Sequence, residues 1–331
     1  MHTDFVLFVC MRRDLFPTAL CNAARLGLAA TLFPASAFTA FAAEPHTIFA
    51  PGVSESGGWY DVNKKSTTSQ ATKDFLFCWG AAASNMAQYW QDCYVKSGHS
   101  LPSNVPNGTD SALGYELGIF DVFLDNWSSE RGADPYVGLA WYFNGSSHSM
   151  TNYAKPTEGT GGYWKDFYND FQTDLGNNFI LPEVGGYSTW GPWASDQSQT
   201  AIRIFSDYVL SVLKNGVASI VIKPATILHA VTLWGVDVDA LGIVTAVYIT
   251  DSDDAAKTGQ ISGLRKYSLT TDNMNRTVSL LNTDYGTVEI TNLYGLTAYP
   301  IPEPSMFGAL AGVFALGLAA TRRKLRRPRG V

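Results

Sequence analysis

The sequence predicts a single domain of the α+β class, and three segments carry this prediction. Residues 78–93 and 201–215 place apolar side chains at the three- and four-residue steps typical of helices. Residues 229–253 form two apolar, β-branched runs joined by a short polar turn, which is the pattern of a β-hairpin. Both ends of the chain resemble sorting signals, so the domain is expected over the 257 residues 44–300.

The first predicted helix carries a candidate nucleophile at its start. Over CWGAAASNMAQYWQDC the apolar stripe consists of Cys78, Ala82, Met86, Tyr89 and Cys93. At a rise of about 1.5 Å per residue the two cysteines lie about 22 Å apart, which excludes a disulfide between them. The positive end of a helix dipole favours a thiolate, so Cys78 is the expected nucleophile and Cys93 a small buried residue.

The hairpin carries the expected partners of that thiolate. The helix over 201–215 leads into a strand at 218–222, and a turn at 223–226 brings the chain to His229. Antiparallel folding about Ala240 sets His229 opposite Asp251. An imidazole beside a carboxylate is the orienting half of a cysteine–histidine–aspartate triad.

Composition restricts the partners that the domain can have. Residues 44–301 hold 26 Asp and Glu but only 14 Lys and Arg, which argues against a nucleic acid. The remaining histidines of this region, His46, His99 and His148, have no carboxylate set opposite them by a strand, so neither a metal nor a cofactor is expected. Five tryptophans between residues 100 and 200 fit either loop anchors packed on the domain, which we favour, or an aromatic binding platform.

The two ends predict export followed by sorting. Arginines 12, 13 and 25, the small apolar run 26–43 and an Ala40-Phe41-Ala42 cleavage site indicate a signal peptide over residues 1–43. Residues 301–331 hold a Pro-Glu-Pro motif, sixteen uncharged residues of a transmembrane helix and an arginine-rich end. This tail resembles the PEP-CTERM sorting signal, which implies cleavage by an exosortase and delivery to the outer envelope or extracellular matrix. A retained single-span anchor is the alternative.

Four segments of the domain carry a family resemblance: APGVSESGGWYDVNK (50–64), DFLFCWGAAASNM (74–86), the weaker FNGSSHSMTNYAKPTEGTGGYWKDFY (143–168) and HAVTLWGVDVDALGIVTAVYITDSDD (229–254). They resemble the IdeS/Mac family of secreted, papain-like cysteine endopeptidases. The resemblance implies a papain-like fold, in which an N-terminal catalytic helix packs on an antiparallel β-sheet. It also implies an extracellular protein as the substrate.

The resemblance assigns roles to five residues. Cys78 corresponds to the nucleophile and His229 to the base, Asp251 would orient His229, and Asp253 would support the site. Lys64, or alternatively Lys65 or Lys73, would contribute to the oxyanion hole. Trp79 departs from the family pattern, because it separates Cys78 from Gly80 and is therefore expected to alter substrate access. A protein that kept this fold but lost the chemistry, and binds or builds the matrix, is the alternative function.

Overall fold

The computed structural model describes residues 44–65, 74–110, 116–128, 131–145, 154–165, 200–225, 227–254, 263–272, 274 and 276–298. These residues belong to one compact unit, Ala42–Val331. The predicted signal peptide and the sorting tail lie outside the described residues. No helix within the described ranges is long and apolar enough to cross a membrane.

The described ranges contain four helices and nine strands, which makes the α+β assignment an observed property of this region. The helices are α1 (Cys78–Lys96), α2 (Gly118–Asn126), α3 (Pro135–Asn144) and α4 (Ala201–Leu213). The strands are β1 (His46–Phe49), β2 (Thr109–Asp110), β3 (Glu116–Leu117), β4 (Gly216–Lys223), β5 (His229–Val238), β6 (Val244–Thr250), β7 (Arg265–Asp272), β8 (Thr277–Thr283) and β9 (Gly286–Thr297).

Six of these strands form a closed antiparallel barrel. Their order is β5-β4-β9-β8-β7-β6, and β6 closes the ring by pairing with β5. Strand β1 pairs with the second half of β5, beyond the segment that β4 occupies. Closure leaves these strands without a free edge, which protects them from pairing with other chains.

Helix α1 lies between the barrel and two further helices. It contacts β4 and β5 on one side and α2 and α3 on the other. Almost all of its residues are therefore buried, and the helix is not amphipathic in the way that its apolar stripe suggests. The order of a helix followed by antiparallel strands agrees with the sequence analysis, whereas the papain-like fold as such stays a prediction.

Two helices, α2 and α3, were not expected from the sequence, which predicts loops there. Trp127, Trp141 and Trp164 are all buried in this region, and Trp127 contacts both Trp79 and Trp141 edge to face. These three tryptophans therefore form core, as the favoured interpretation predicts, and do not form an exposed binding platform. The other two, at 190 and 193, lie outside the described residues.

The β5–β6 hairpin differs from the predicted register by two residues. Thr232 pairs with Thr250 and Val238 with Val244, so the turn covers residues 239–243 and is centred on Leu241 rather than Ala240. The carboxylate of Asp239 accepts hydrogen bonds from the N–H groups of Leu241 and Ile243, both at 2.8 Å, and thereby stabilises this five-residue turn. The assumption of a symmetric fold about Ala240 was wrong for this reason.

The barrel wall also depends on a glycine opposite β1. A Cβ atom at Gly235 would lie 2.3 Å from Cδ1 of Phe49, and the Phe49 ring is held against Tyr248 at a centroid distance of 4.9 Å. We expect Gly235→Ala to lower the free energy of unfolding by about 1–3 kcal/mol, the usual cost of overpacking. Urea denaturation measures this change.

Gly57→Ala is the matched control, because a Cβ atom there meets no atom within 4 Å. Its free energy of unfolding should change by no more than about 0.5 kcal/mol. Equal effects of the two substitutions would show that Gly235 has no special packing role.

Candidate active site

Cys78 is the first residue of α1, where the backbone N–H groups have no partner inside the helix. Its side chain is half-buried and lines a cleft of about 590 Å³. Both cysteines of the described region are free thiols, as the helix spacing predicts. The fold thus exposes one sulfur to a cleft and buries the other, Cys93, in the core.

His229 begins β5 at the edge of the same cleft. Its Nε2 atom lies 2.6 Å from Oδ1 of Asp251, which is the contact that the sequence predicts. A carboxylate only accepts hydrogen bonds, so Nε2 carries a proton and donates a hydrogen bond to Asp251. The other ring nitrogen is left for Cys78, whose interaction with the imidazole contributes to raising the pKa of His229.

Asp251 reaches His229 although the two residues are not strand partners. Strand β6 ends at Thr250, and the continued register would place Asp253 opposite His229. Instead the chain turns, and the N–H of Asp253 donates to Oδ1 of Asp251 at 2.9 Å. This local hydrogen bond fixes the Asp251 carboxylate against the imidazole.

Lys64 is buried beside these residues. Its Nζ atom lies 2.8 Å from Oδ1 of Asp253 and donates to the carbonyl of Phe75 at 2.9 Å. The neighbouring Lys65 is exposed, and Lys73 lies outside the described residues. Of the two lysines that the structure describes, Lys64 is therefore the one that lines the cleft.

Buried polar contacts hold the four segments of the site together. Asn85 of α1 accepts from the N–H of Val62 at 3.1 Å and donates to Thr232 of β5 at 3.0 Å. Thr250 of β6 donates to the carbonyl of Tyr60 and accepts from the indole of Trp234. Through these bonds the segment that carries Lys64 is fixed to the helix of Cys78 and to both hairpin strands.

The electrostatics favour a charged cysteine–histidine pair. Burial raises the pKa of the Cys78 thiol, but the hydrogen bond and charge of His229 and the charge of Lys64 outweigh it and lower this pKa below its usual value. Burial likewise disfavours the charged imidazole, yet Asp251 and Cys78 raise the pKa of His229 well above its usual value. Both shifts favour the charged forms, so the site favours a thiolate–imidazolium pair.

The cleft is lined by both polar and apolar residues. The polar lining residues are Lys64, Cys78, Asp134, His229, Asp253 and Tyr285. Ile227 and Leu228 precede His229 and are 59% and 52% exposed at the apolar rim. Trp79 also lines the cleft, but it is fully buried and stacked on Phe77. Further apolar lining residues are Phe75, Leu76, Ala133, Val221 and Ala230.

Three of these groups could also be arranged around a metal ion. Ligand atoms of His229, Asp251 and Asp253 lie within 4.8 Å of one another. The Nε2–Oδ1 contact of 2.6 Å and the Lys64–Asp253 ion pair already engage these atoms. These oxygen and nitrogen atoms are thus already engaged by the imidazole–carboxylate hydrogen bond and by the lysine ammonium group. This arrangement suits acid–base chemistry better than metal binding.

Tyr285 is the residue of the site that the sequence analysis missed. Its hydroxyl donates to Oδ2 of Asp251 at 3.3 Å, and its ring meets that of His229 edge to face at 5.5 Å. It lies between β8 and β9, in an Asp-Tyr-Gly segment that indicates a turn but gives no sign of what the turn contacts.

A half-buried thiol at a helix start, an imidazole and a carboxylate define the class of protein: an α+β barrel protein with a cysteine–histidine–aspartate site. The family model Mac-1, described as Mac 1, matches residues 44–100 and 203–286, which include Lys64, Cys78, His229, Asp251, Asp253 and Tyr285. The chain is also 24% identical over 229 residues to a protein named IgM protease from Streptococcus suis (strain P1/7). That alignment covers 65% of this chain but only 19% of the relative. Both matches support the resemblance to the IdeS/Mac family.

The two thiols should differ in their reaction with iodoacetamide. For Cys78 we expect alkylation to rise with pH at an inflection below the usual thiol value, whereas burial raises the pKa of Cys93 to about 11 and should keep it slow at neutral pH. His229→Ala removes the imidazolium and should move the Cys78 inflection upward. Peptide mass spectrometry over roughly pH 5 to 10 measures both rates.

The Cys93 peptide of the same samples is the internal control. A common inflection for both thiols, or a Cys78 inflection that His229→Ala leaves in place, would contradict the charged pair.

Proposed function

We propose that this chain is a secreted cysteine endopeptidase of the IdeS/Mac family with a papain-like catalytic domain over residues 44–300. The observation that carries the proposal is the 2.6 Å contact between His229 and Asp251 in the cleft that Cys78 opens onto. The lowered pKa of Cys78 supports a thiolate nucleophile at neutral pH.

The proposed reaction uses the side chains in a fixed order. The Cys78 thiolate attacks the carbonyl carbon of a peptide bond, and the His229 imidazolium donates its proton to the leaving amine. The resulting thioester is attacked by water, whose proton passes to His229, and the acid product leaves as the thiolate is restored. Asp251 orients the imidazole through both half-reactions.

The negative oxygen of each tetrahedral intermediate needs hydrogen-bond donors. The backbone N–H of Cys78 is one candidate, since it lies at the start of α1, and Lys64 is the other, since its ammonium group lines the cleft. Asp253 holds that ammonium group at 2.8 Å and so has a supporting role.

The substrate is proposed to be an extracellular protein. The relative's name refers to IgM, whereas nothing in the cleft of this chain selects an immunoglobulin. The apolar rim at Ile227 and Leu228 offers a contact for an apolar side chain of the substrate. Export by the signal peptide over 1–43, transient anchoring in the inner membrane and release by an exosortase at the tail over 301–331 complete the proposal.

Cys78→Ala and His229→Ala should each lower hydrolysis of secreted proteins by about 10⁴-fold or more, because the first removes the nucleophile and the second removes the group that stabilises the thiolate and protonates the leaving amine. Sequencing the new protein termini after incubation measures cleavage and locates the sites.

Cys93→Ala is the matched control, since Cys93 lies at the far end of the same helix and is buried. It should retain cleavage at the same sites. Unchanged cleavage by the Cys78→Ala protein would refute the proposed function and would favour the alternative of a binding or structural protein.

Replacement of Lys64 tests the proposed oxyanion hole. We expect Lys64→Met combined with Asp253→Asn to lower kcat by about 10²–10³-fold with little change in KM, because a donor to the transition state is lost. The double variant removes both charges of the buried pair and so leaves no uncompensated carboxylate.

Lys65→Met is the control on the neighbouring exposed lysine and should keep the kcat of the unaltered protein. A larger loss of kcat from Lys65→Met than from the double variant would assign the role to Lys65 instead.

A further inference from the structure

Tyr285 contacts both partners of the histidine–aspartate pair. Its hydroxyl is 3.3 Å from Oδ2 of Asp251, and its ring centroid is 5.5 Å from that of His229 at an interplanar angle of 60°. The side chain is half-buried and lines the cleft next to Cys78. It therefore lies where it can act on the pair without displacing the thiol.

The turn that carries Tyr285 is held rigidly. The backbone N–H of Tyr285 donates to the Thr283 hydroxyl at 3.1 Å, and Gly286 takes a positive φ of 86° that favours glycine. The carboxylate of the preceding residue, Asp284, accepts a hydrogen bond from Arg265 of β7 at 2.6 Å. Barrel closure and this ion pair bring the β8–β9 turn to the end of β6.

The contacts of Asp251 divide between its two oxygens. Oδ1 accepts from His229 and from the N–H of Asp253, whereas Oδ2 accepts from Tyr285. A carboxylate held on both oxygens cannot rotate freely about its χ2 torsion, so its direction toward Nε2 is maintained. The Tyr285 ring also packs against the imidazole of His229, which is only 5% exposed.

We propose that Tyr285 is a positioning residue of this site: its hydroxyl fixes the Asp251 carboxylate and its ring keeps water away from the His229–Asp251 contact. The inference rests on the proposed peptidase function but concerns two separable parts of one side chain. Loss of the hydroxyl misdirects the imidazole during proton transfer. Loss of the ring admits water and weakens the attraction between carboxylate and imidazolium, because water screens charges.

Two variants of the full chain separate these parts. Tyr285→Phe keeps the ring and removes the hydroxyl, so kcat should fall about 3- to 10-fold, the effect of one net hydrogen bond, with KM unchanged. Tyr285→Ala also removes the ring, so the pH inflection of Cys78 alkylation by iodoacetamide should move upward, while Tyr285→Phe keeps the inflection of the unaltered protein.

Tyr248→Phe is the matched control. Its hydroxyl also donates to an aspartate, Asp237, at 3.1 Å, and Tyr248 is not among the residues that line the cleft. It should leave kcat, KM and the alkylation profile unchanged, which separates a positioning role from the general loss of a tyrosine hydroxyl.

Unaltered kcat in Tyr285→Phe together with an unaltered alkylation inflection in Tyr285→Ala would overturn the proposal. Alkylation of Cys78 needs no substrate, so this inflection decides the role of the ring even if the unaltered protein hydrolyses no peptide bond. A protein that hydrolyses no peptide bond would thus refute the peptidase function, while the alkylation profile would still test the role of Tyr285.

Discussion

An imidazole and a carboxylate buried against each other at the end of the β5–β6 hairpin constrain the rest of the site. Buried charges are costly unless opposite charges and hydrogen bonds compensate them. Asp251 meets this requirement through His229, the N–H of Asp253 and Tyr285. The ammonium group of Lys64 then compensates the Asp253 carboxylate at 2.8 Å. Each buried charge in the site is thus balanced by a neighbouring charge of opposite sign. The Cys78 thiolate is the last member of this series, since it is stabilised by the charges of His229 and Lys64.

The same requirement explains why the site is not confined to one part of the chain. Asn85 and Thr250 are buried polar residues whose hydrogen bonds connect different segments. Asn85 bonds to Val62 and Thr232, and Thr250 bonds to Tyr60. Removing any one segment would leave buried donors or acceptors without partners. The positions of Lys64, Cys78, His229 and Asp251 are therefore maintained together, as one cooperative unit of the fold.

Short-range patterns in the sequence were enough to predict the helix of Cys78 and the hairpin. Each depends on periodicity or on a turn within about 25 residues. The approach of His229 to Asp251 was predicted from a register that is wrong by two residues, and the contact forms because the chain turns after Thr250. Helices α2 and α3 were missed because they are rich in aromatic residues and lie in a stretch rich in turn-forming residues, and α3 is buried on nearly every side, so no amphipathic stripe marks it. Tyr285 was missed because barrel closure brings it to Asp251, 34 residues away along the chain. The hairpin register depended on one side chain, Asp239, that lengthens the turn.

A second group of carboxylates lies behind the site and limits the pH range of the fold. Burial, with the mutual repulsion of nearby carboxylates, raises the pKa of Asp61 to about 7 and that of Asp254 to about 8, and Arg265 lies 3.6 Å from Asp254. Both pKa values exceed those of the unfolded chain, so the folded state binds these protons more tightly and loses stability as pH rises from about 4 toward 8. Both carboxylates also interact with Asp251. Their ionisation, at pH values of about 7 and about 8, therefore places further negative charge near Asp251 while the fold loses stability.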